Sequence, residues 1–292
     1  MASLRDLRRR IRSLVSIKQI TRAMEMVATT KLRRVQGRAI ASRPFTNEIE
    51  TIVRRFAATV PPGASPLLEN PDAKAAATRT VGLVIVTSDR GLCGAYNANV
   101  LGEFHRWIDE NPGAKPRLYV FGKKGYVYLF RRGYEVVHYF SDPPLEKLDF
   151  WSARIAARTV ADEFLKGVVS EVHVISTRFD SMVTFRPAVT RWLPVSPGKA
   201  APEEAVDAAA IVEPSRPFLL DRLVPKYLAI KIWNLLLESL TSEYASRRVS
   251  MKNATDAAEE MRGTLLRTYN RARQESITKQ LLEIVGGAEA LR

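Results

Sequence analysis

The chain has 292 residues, of which 46% are hydrophobic and 26% are charged. This composition excludes a disordered or collagen-like chain, and the length allows one or two domains with a sizeable core. A single cysteine excludes an internal disulfide, and with only three scattered histidines it falls short of a structural zinc site. The sequence therefore predicts neither a metal nor any other cofactor.

The positive charge is concentrated near the N-terminus. The whole chain carries 45 Lys+Arg against 31 Asp+Glu, a formal charge of +14. Residues 1–55 hold 14 of these bases but only four acids, a net charge of +10. Such a segment needs an acidic partner, and composition alone leaves open nucleic acid, an anionic lipid surface or an acidic protein surface.

The N-terminal segment, residues 1–57, is predicted to be one long helix. From Leu4 to Val35 its apolar residues recur at spacings of three and four, which is the period of an amphipathic helix. One face of this helix must therefore be buried against another element.

The central segment, residues 75–213, is predicted to be a Rossmann-like α/β domain. Short apolar runs alternate with amphipathic stretches, a pattern typical of a mostly parallel sheet with helices packed on it. The predicted strands cover residues 81–86, 117–121, 134–140, 171–177 and 184–192, and the predicted helices cover 95–110, 123–132 and 150–168. Only a short turn separates the last two strands, so the last strand is expected to run antiparallel.

The C-terminal segment, residues 214–292, contains the longest predicted helix, from Pro217 to Val285. No proline interrupts it after Pro225. Its roughly 60 residues, at about 1.5 Å each, would form a rod of about 90 Å. A rod of that length exceeds what the central domain could cover, so it needs another partner.

The two terminal helices are predicted to pair as an antiparallel coiled coil, because both carry the spacing that knobs-into-holes packing requires. One register, in which paired residue numbers sum to 272, sets Ile11 against Met261 and the acid Glu25 against the base Arg247. The alternative is a chance alignment of two amphipathic helices. The predicted seam consists of Leu7, Ile11, Leu14, Glu25, Leu32, Leu240, Met251, Met261 and Leu265.

This register leaves the C-terminal helix without an N-terminal partner from about Tyr269 onward. We expect the apolar side chains beyond that point to be exposed unless another protein surrounds them. They are Ile277, Leu281, Leu282, Ile284 and Val285. An exposed apolar patch of that size is typical of an interaction site.

The segment Thr87 to Asn97 follows a buried strand and opens a helix, a place where phosphates bind to free backbone amides. It matches neither GxGxxG nor GxxxxGK[ST], so we interpret it as a tight strand-to-helix turn. Cys93 has no histidine nearby in the sequence and is interpreted as a packed side chain. Asp89 and Arg90 are interpreted as a local ion pair and helix cap. We therefore expect no catalytic residue and no small-molecule substrate.

Four stretches of the sequence resemble one known family. They are residues 17–27 (IKQITRAMEMV) with Lys31, 87–94 (TSDRGLCG), 242–256 (SEYASRRVSMKNATD) and 269–285 (YNRARQESITKQLLEIV). These motifs resemble those of the gamma subunits of F-type ATP synthases of the bacterial type. The resemblance implies a non-catalytic rotor, a coiled-coil shaft with an α/β domain at its foot. Such a rotor couples ion-driven rotation of a membrane c-ring to ATP synthesis at the β subunits.

The resemblance also implies partners and contact residues. The partners would be a ring of three α and three β subunits, the epsilon subunit and the c-ring, at the cytoplasmic face of the cell membrane. Met24 and Arg247 match positions that face an acidic loop of a β subunit, and Arg273 and Gln274 match positions that hydrogen-bond a β-subunit loop. Arg248 departs from the family pattern, in which an apolar residue is expected, so either arginine could make the contact.

Two rival hypotheses come from other classes of protein. A basic coiled-coil protein could bind nucleic acid, although the bases lie all around the N-terminal helix and few aromatic residues lie between them for stacking. An α/β enzyme could use the loop from Ser88 to Gly94, which lacks a phosphate motif. Duplex DNA binding with a steep salt dependence would favour the first rival, and ATPase activity of the isolated chain would favour the second.

Overall fold

The structure is a computed structural model that describes residues 3–57, 65–68, 79–182, 184–196 and 215–289. The chain forms two compact units. We call residues 1–29 with 247–292 the coil unit, and residues 30–246 the α/β unit. The predicted domain boundaries at residues 75 and 213 lie outside the described residues.

Two long helices supply residues to both units. Helix α1 spans Leu4–Ala57 and helix α5 spans Arg216–Glu289. Helix α1 begins at a cap, because the hydroxyl oxygen of Ser3 accepts a hydrogen bond from the backbone N–H of Asp6 at 3.2 Å. The acidic side chain of Asp6 in the first turn also interacts favourably with the helix dipole. Both terminal helices predicted from the sequence are therefore present.

The α/β unit contains a five-stranded sheet with the strand order β3-β2-β1-β4-β5. The strands are β1 (Arg79–Val86), β2 (Ala114–Phe121), β3 (Val136–Phe140), β4 (Glu171–Phe179) and β5 (Phe185–Leu193). The first four are parallel, and β5 pairs antiparallel with β4. Helices α2 (Tyr96–Glu110), α3 (Lys123–Arg131) and α4 (Phe150–Leu165) follow β1, β2 and β3. The predicted fold class is confirmed.

Strand β1 lies at the centre of the sheet and is buried on both faces. On one face Val81, Leu83 and Ile85 pack against α2 in one apolar core. On the other face Val84 and Val86 belong to a second core, which includes α4 and the parts of α1 and α5 that lie in this unit. Successive side chains of a strand point to opposite faces, so the continuous apolar run from Val81 to Val86 fills both cores.

The described part of the coil unit consists of an antiparallel pair of helical segments, residues 4–29 of α1 and 247–289 of α5. Side-chain hydrogen bonds join them, among these Arg8 to Tyr269 at 2.8 Å, Lys18 to Glu259 at 2.7 Å and Thr21 to Thr255 at 2.7 Å. Residue numbers rise along one helix as they fall along the other. The predicted antiparallel pairing is therefore confirmed.

Candidate functional site

The α1 side of the predicted seam lies as expected in the coil unit. Leu7 is buried, and Ile11, Leu14 and Glu25 are half-buried, whereas most residues between them are exposed. The spacing of three and four in this segment therefore identified the correct face of the helix.

A coiled-coil seam uses two rows of core positions along each helix. On α5 one of these rows lies one residue later than predicted. Met251 is buried and Leu265 is half-buried, as expected, but Met261 is 58% exposed and is not a seam residue. The second row of seam positions consists of Thr255, Arg262 and Tyr269, all half-buried. Because this row is polar, a count of apolar residues placed it one position too early.

The register of the coil unit differs from the predicted one by about four residues. The numbers of Thr21 and Thr255 sum to 276 and those of Lys18 and Glu259 to 277, instead of 272. Four residues at about 1.5 Å each correspond to a slip of about 6 Å along the helix. The expected opposition of Ile11 and Met261 is therefore wrong.

Within the α/β unit, Leu32 of α1 and Leu240 of α5 belong to the same apolar core. These predicted seam residues are 1% and 3% exposed and share one core. Nearby, the side chain of Asn234 accepts a hydrogen bond from Ser42 and donates one to Thr46. The numbers of Ser42 and Asn234 sum to 276.

Charged groups at the coil seam are paired but remain in contact with solvent. Glu259 accepts hydrogen bonds from Lys18 and Arg262, which hold the pKa of Glu259 below its ordinary value. The guanidinium of Arg8 lies 5.7 Å from the ring centroid of Tyr269, over its face. Exposed pairs of this kind are screened by salt, so they set the register more than they stabilise it.

An open groove of about 720 Å³ lies between the two helices of the coil unit. Leu14, Met261 and Leu265 line it, together with the bases Arg9 and Arg10. Met261 was wrongly predicted to be a seam residue. It lies instead on a surface that another protein can contact.

The four residues predicted to contact a partner differ in exposure. Met24 is half-buried, and Arg247 is only 9% exposed. Arg273 and Gln274 are both exposed. Arg248 is half-buried, so it presents more of its side chain than the neighbouring Arg247.

The end of α5 carries apolar side chains on its surface, as predicted. Their exposed fractions are 48% for Ile277, 57% for Leu281, 68% for Leu282, 68% for Ile284 and 64% for Val285. Five large apolar side chains within nine residues form an exposed patch that indicates a protein partner.

The loop that follows β1 is held by its own polar side chains. The hydroxyl of Thr87 donates to the backbone carbonyl of Phe121 at 3.0 Å and accepts from the N–H of Gly125 at 2.9 Å. The side-chain oxygen of Asn97 accepts from the N–H of Ser88 at 3.0 Å, and its amide donates to the Ser88 hydroxyl at 2.7 Å. The loop is thus the tight strand-to-helix turn that the sequence predicts.

The same loop is held against α3 by Asp89 and Gly122. The Asp89 carboxylate accepts from the N–H of Lys123 at 3.1 Å, at the start of α3, and from the N–H of Leu145 at 3.0 Å. Asp89 therefore bonds the first N–H of α3, whereas α2, the helix that this loop opens, has no side-chain cap. The expected ion pair of Asp89 with Arg90 stays a prediction. Gly122 has a φ of +90°, and a Cβ there would lie 2.1 Å from the carbonyl oxygen of Thr87. Only glycine fits this position, which sequence analysis did not single out.

Cys93 is packed inside the α/β unit, as predicted. It is 2% exposed, and its Sγ accepts a hydrogen bond from Asn97 at 3.2 Å. Its carbonyl oxygen accepts from the hydroxyl of Ser246 at 2.6 Å, a contact that no sequence pattern indicated.

A polar cluster between β2 and α4 contains shifted titratable groups. Arg117 donates to the Glu163 carboxylate from Nε at 2.5 Å and from Nη2 at 3.2 Å, and the Tyr119 hydroxyl donates to the same carboxylate. The bonds from Arg117 hold the pKa of Glu163 below its ordinary value. Burial, together with the Glu163 carboxylate, raises the pKa of Tyr119. The guanidinium and carboxylate neutralise each other, which is the arrangement of a structural ion pair.

No group of three His, Cys, Asp or Glu residues in the described ranges could hold a metal ion. No helix in the part of the chain that the structure describes is long and apolar enough to span a membrane.

Known proteins resemble the chain over its whole length. The family described as ATP synthase matches residues 3–291. The ATP synthase gamma chain of Moorella thermoacetica is 41% identical over 293 residues, which cover 100% of both chains. The chain belongs to the ATP synthase gamma chain family. The gamma chain of Chloroherpeton thalassium is 38% identical over 306 residues, which cover 100% of this chain and 99% of that one.

A solved structure shares the fold of this gamma chain. A chain of the mitochondrial ATP synthase of Euglena gracilis, in an assembly of OSCP, F1 and c-ring, has a TM-score of 0.63 and 19% identity. The likeness covers 99% of this chain and 94% of that chain. The resemblance seen in the four sequence motifs is confirmed, and the protein is a subunit of ATP synthase.

Proposed function

We propose that this gamma chain is the rotor of the central stalk. It turns inside a ring of three α and three β subunits and couples ion-driven rotation of a membrane c-ring to ATP synthesis at the β subunits. The observation that carries the proposal is the full-length match to gamma chains, at 38% and 41% identity. The apolar patch from Ile277 to Val285 supports it, because a helix end of that kind needs a surrounding protein.

The gamma chain contributes no bond chemistry in this proposal. The loop after β1 has the position of a phosphate-binding turn, but Thr87, Asp89 and Asn97 direct their side chains to hydrogen bonds within the protein. We therefore expect it to bind no nucleotide. ATP forms in the β subunits, and the gamma chain changes their conformations mechanically, without a cofactor or a small-molecule substrate.

The α/β unit contacts the epsilon subunit and the c-ring in this proposal. The Euglena assembly that contains the similar chain includes F1 and a c-ring, which supports this arrangement. The gamma chain is then a peripheral subunit at the cytoplasmic face of the cell membrane.

In this proposal the gamma chain binds the β subunits strongly at only a few positions. Deep complementarity along the whole coil would trap the rotor at one angle, so most of its surface must bind weakly. The strong points are Met24, one of the arginines Arg247 and Arg248, and the exposed pair Arg273 and Gln274. The greater exposure of Arg248 makes it the better placed of the two adjacent arginines.

Reconstitution tests the proposed function. The gamma chain, mixed with the α and β subunits of the same organism, should form one stable complex that hydrolyses ATP. The isolated gamma chain should hydrolyse none. An isolated chain that binds ATP stoichiometrically, or α and β subunits that gain no stable complex with it, would contradict the proposal.

A second experiment tests the contact residues. Arg273→Ala or Gln274→Ala should reduce ATP hydrolysis of the reconstituted complex more than Arg10→Ala or Arg33→Ala. Truncating a partly desolvated charged contact costs about 2–5 kcal/mol, whereas an exposed charge attracting acidic loops over a Debye length of ~8 Å is worth about 1 kcal/mol or less. Deletion of residues 286–292 should reduce ATP hydrolysis less than either group of substitutions. Equal losses of ATP hydrolysis in all these variants would contradict the proposal that a few positions transmit the torque.

A further inference from the structure

The face of α5 that packs on the sheet changes from apolar to polar along the helix. Ser239, Ser242 and Ser246 lie at spacings of three and four, on one side of the helix, and are 0%, 0% and 4% exposed. Burying a hydroxyl group costs free energy unless the group is hydrogen-bonded. A small apolar residue at each of these positions would avoid that cost. Three of them in a row therefore require an explanation.

Two of these serines bond the same residue of β4. The N–H of Thr177 donates to the hydroxyl of Ser239 at 3.0 Å, and the hydroxyl of Ser242 donates to the carbonyl of Thr177 at 3.5 Å. The pairing of β1 with β4 ends at Ile175, and the residue opposite Thr177 in β5 is Pro187, which has no N–H. Both backbone groups of Thr177 are therefore bonded by α5.

The third serine bonds the loop that follows β1. The hydroxyl of Ser246 donates to the carbonyl of Cys93 at 2.6 Å, and that loop is itself fixed by the Asn97 and Asp89 bonds. Further back along α5, the indole N–H of Trp192 in β5 donates to the carbonyl of Leu228 at 3.2 Å. Side-chain hydrogen bonds thus attach α5 to β4, to β5 and to the loop after β1.

We propose that Ser239, Ser242 and Ser246 are positioning residues that transmit torque between the sheet and α5. Apolar contacts are non-directional, so they resist separation of a helix from a sheet better than they resist its rotation or sliding. Hydrogen bonds to backbone groups are directional and weaken steeply when they are misaligned, so they oppose both movements. Helix α5 continues from these serines to Glu289, so it carries the constraint into the coil unit. The inference rests on the proposed rotor function.

Torsional stiffness of the rotor tests this inference in the assembled ATP synthase. A bead is attached through Glu110→Cys, an exposed position on α2, because the single native Cys93 is buried. Rotation is then stopped with a non-hydrolysable nucleotide, and the angular spread of the bead is recorded. The variant with Ser239→Ala, Ser242→Ala and Ser246→Ala should show an angular variance at least twofold larger than the unaltered rotor.

The matched control is Thr241→Val. Thr241 lies on the same helix and is 2% exposed, but its hydroxyl donates to the carbonyl of Leu237 within α5. The angular variance of the Thr241→Val rotor should equal that of the unaltered rotor. Ser246→Ala alone should give a variance between those of the unaltered rotor and the triple variant. An unchanged variance in the triple variant, or an equal increase in the control, would overturn the inference. If the triple variant fails to assemble, the comparison of Ser246→Ala with Thr241→Val decides. A bead that never rotates on the unaltered protein would instead contradict the rotor function.

Discussion

The coil unit and the α/β unit bury their surfaces to very different degrees. The α/β unit encloses large aromatic side chains completely, with Phe104 and Trp192 both at 0% exposure. In the described part of the coil unit, the buried side chains are Leu7, Ala28, Arg247, Met251 and Ala258. Because the area removed from water is the main source of folding free energy, the α/β unit can be stable alone whereas the coil unit depends on what surrounds it.

The polar seam of the coil unit fits this dependence. Lys18, Thr21, Thr255 and Arg262 occupy half-buried positions that a self-sufficient coiled coil would fill with apolar residues. Hydrogen bonds between such residues specify register at little gain in stability. The apolar side chains of the end of α5 remain exposed, so burial by other subunits can supply what the seam does not.

The largest loss of stability should come from the α/β unit through Gly122→Ala. The positive φ would cost about 1–3 kcal/mol, and the clash with Thr87 would add about 1–3 kcal/mol. Gly113→Ala is the control, because a Cβ there meets no atom within 4 Å. Urea denaturation of the isolated chain should show a large decrease in the midpoint for the first variant only. Similar midpoints would mean that the loop after β1 is not rigidly packed.

A comparison along α1 sharpens the contrast between the units. Leu32→Ala, in the core of the α/β unit, should lower the free energy of unfolding by about 2–5 kcal/mol. Leu14→Ala, at a half-buried position of the coil unit, should cost about 1 kcal/mol. Urea titrations followed by circular dichroism measure both. A cost for Leu14→Ala as large as that for Leu32→Ala would remove the difference between the two units.

A smaller, pH-dependent effect is expected from Glu163→Gln in the α/β unit. Arg117 holds the pKa of Glu163 below its ordinary value of 4.5, so the ionised carboxylate stabilises the folded state above that pH. This stabilisation, about 1–3 kcal/mol, is lost as the pH falls through the lowered pKa. The variant should therefore be less stable than the unaltered protein at pH 7 and equal to it in strong acid. A difference that is independent of pH would exclude the ion pair as its cause.

Much of the fold could be predicted because local patterns carry it. The run from Val81 to Val86 identified the central strand, and the short turn before β5 identified the antiparallel edge. The apolar spacing from Leu7 to Leu14 identified the correct face of α1. These features depend on residues close together in the sequence, whose periodicity of two or three to four is readable without knowledge of the fold.

The register of the coil and the serine contacts of α5 could not be predicted, because they depend on contacts between residues that are distant in the sequence. A slip of one helical turn keeps the same faces in contact, so apolar matching could not distinguish a sum of 272 from 276. The pair Thr21 and Thr255 sets the register, and hydroxyl groups give no apolar signal. Ser239 and Ser242 give no such signal either, since only the fold reveals that they bond the backbone of Thr177.

Hydrogen exchange of the gamma chain, first alone and then in complex with the α and β subunits, tests the contrast between the units most directly. Alone, the amides of residues 8–29 and 251–285 should exchange much faster than those of β1, because few buried contacts protect them. On assembly the coil unit should gain protection, most of all from Ile277 to Val285, while β1 should not change. A coil unit that is already as protected as β1 in the isolated chain, and unchanged by assembly, would contradict its dependence on a surrounding ring.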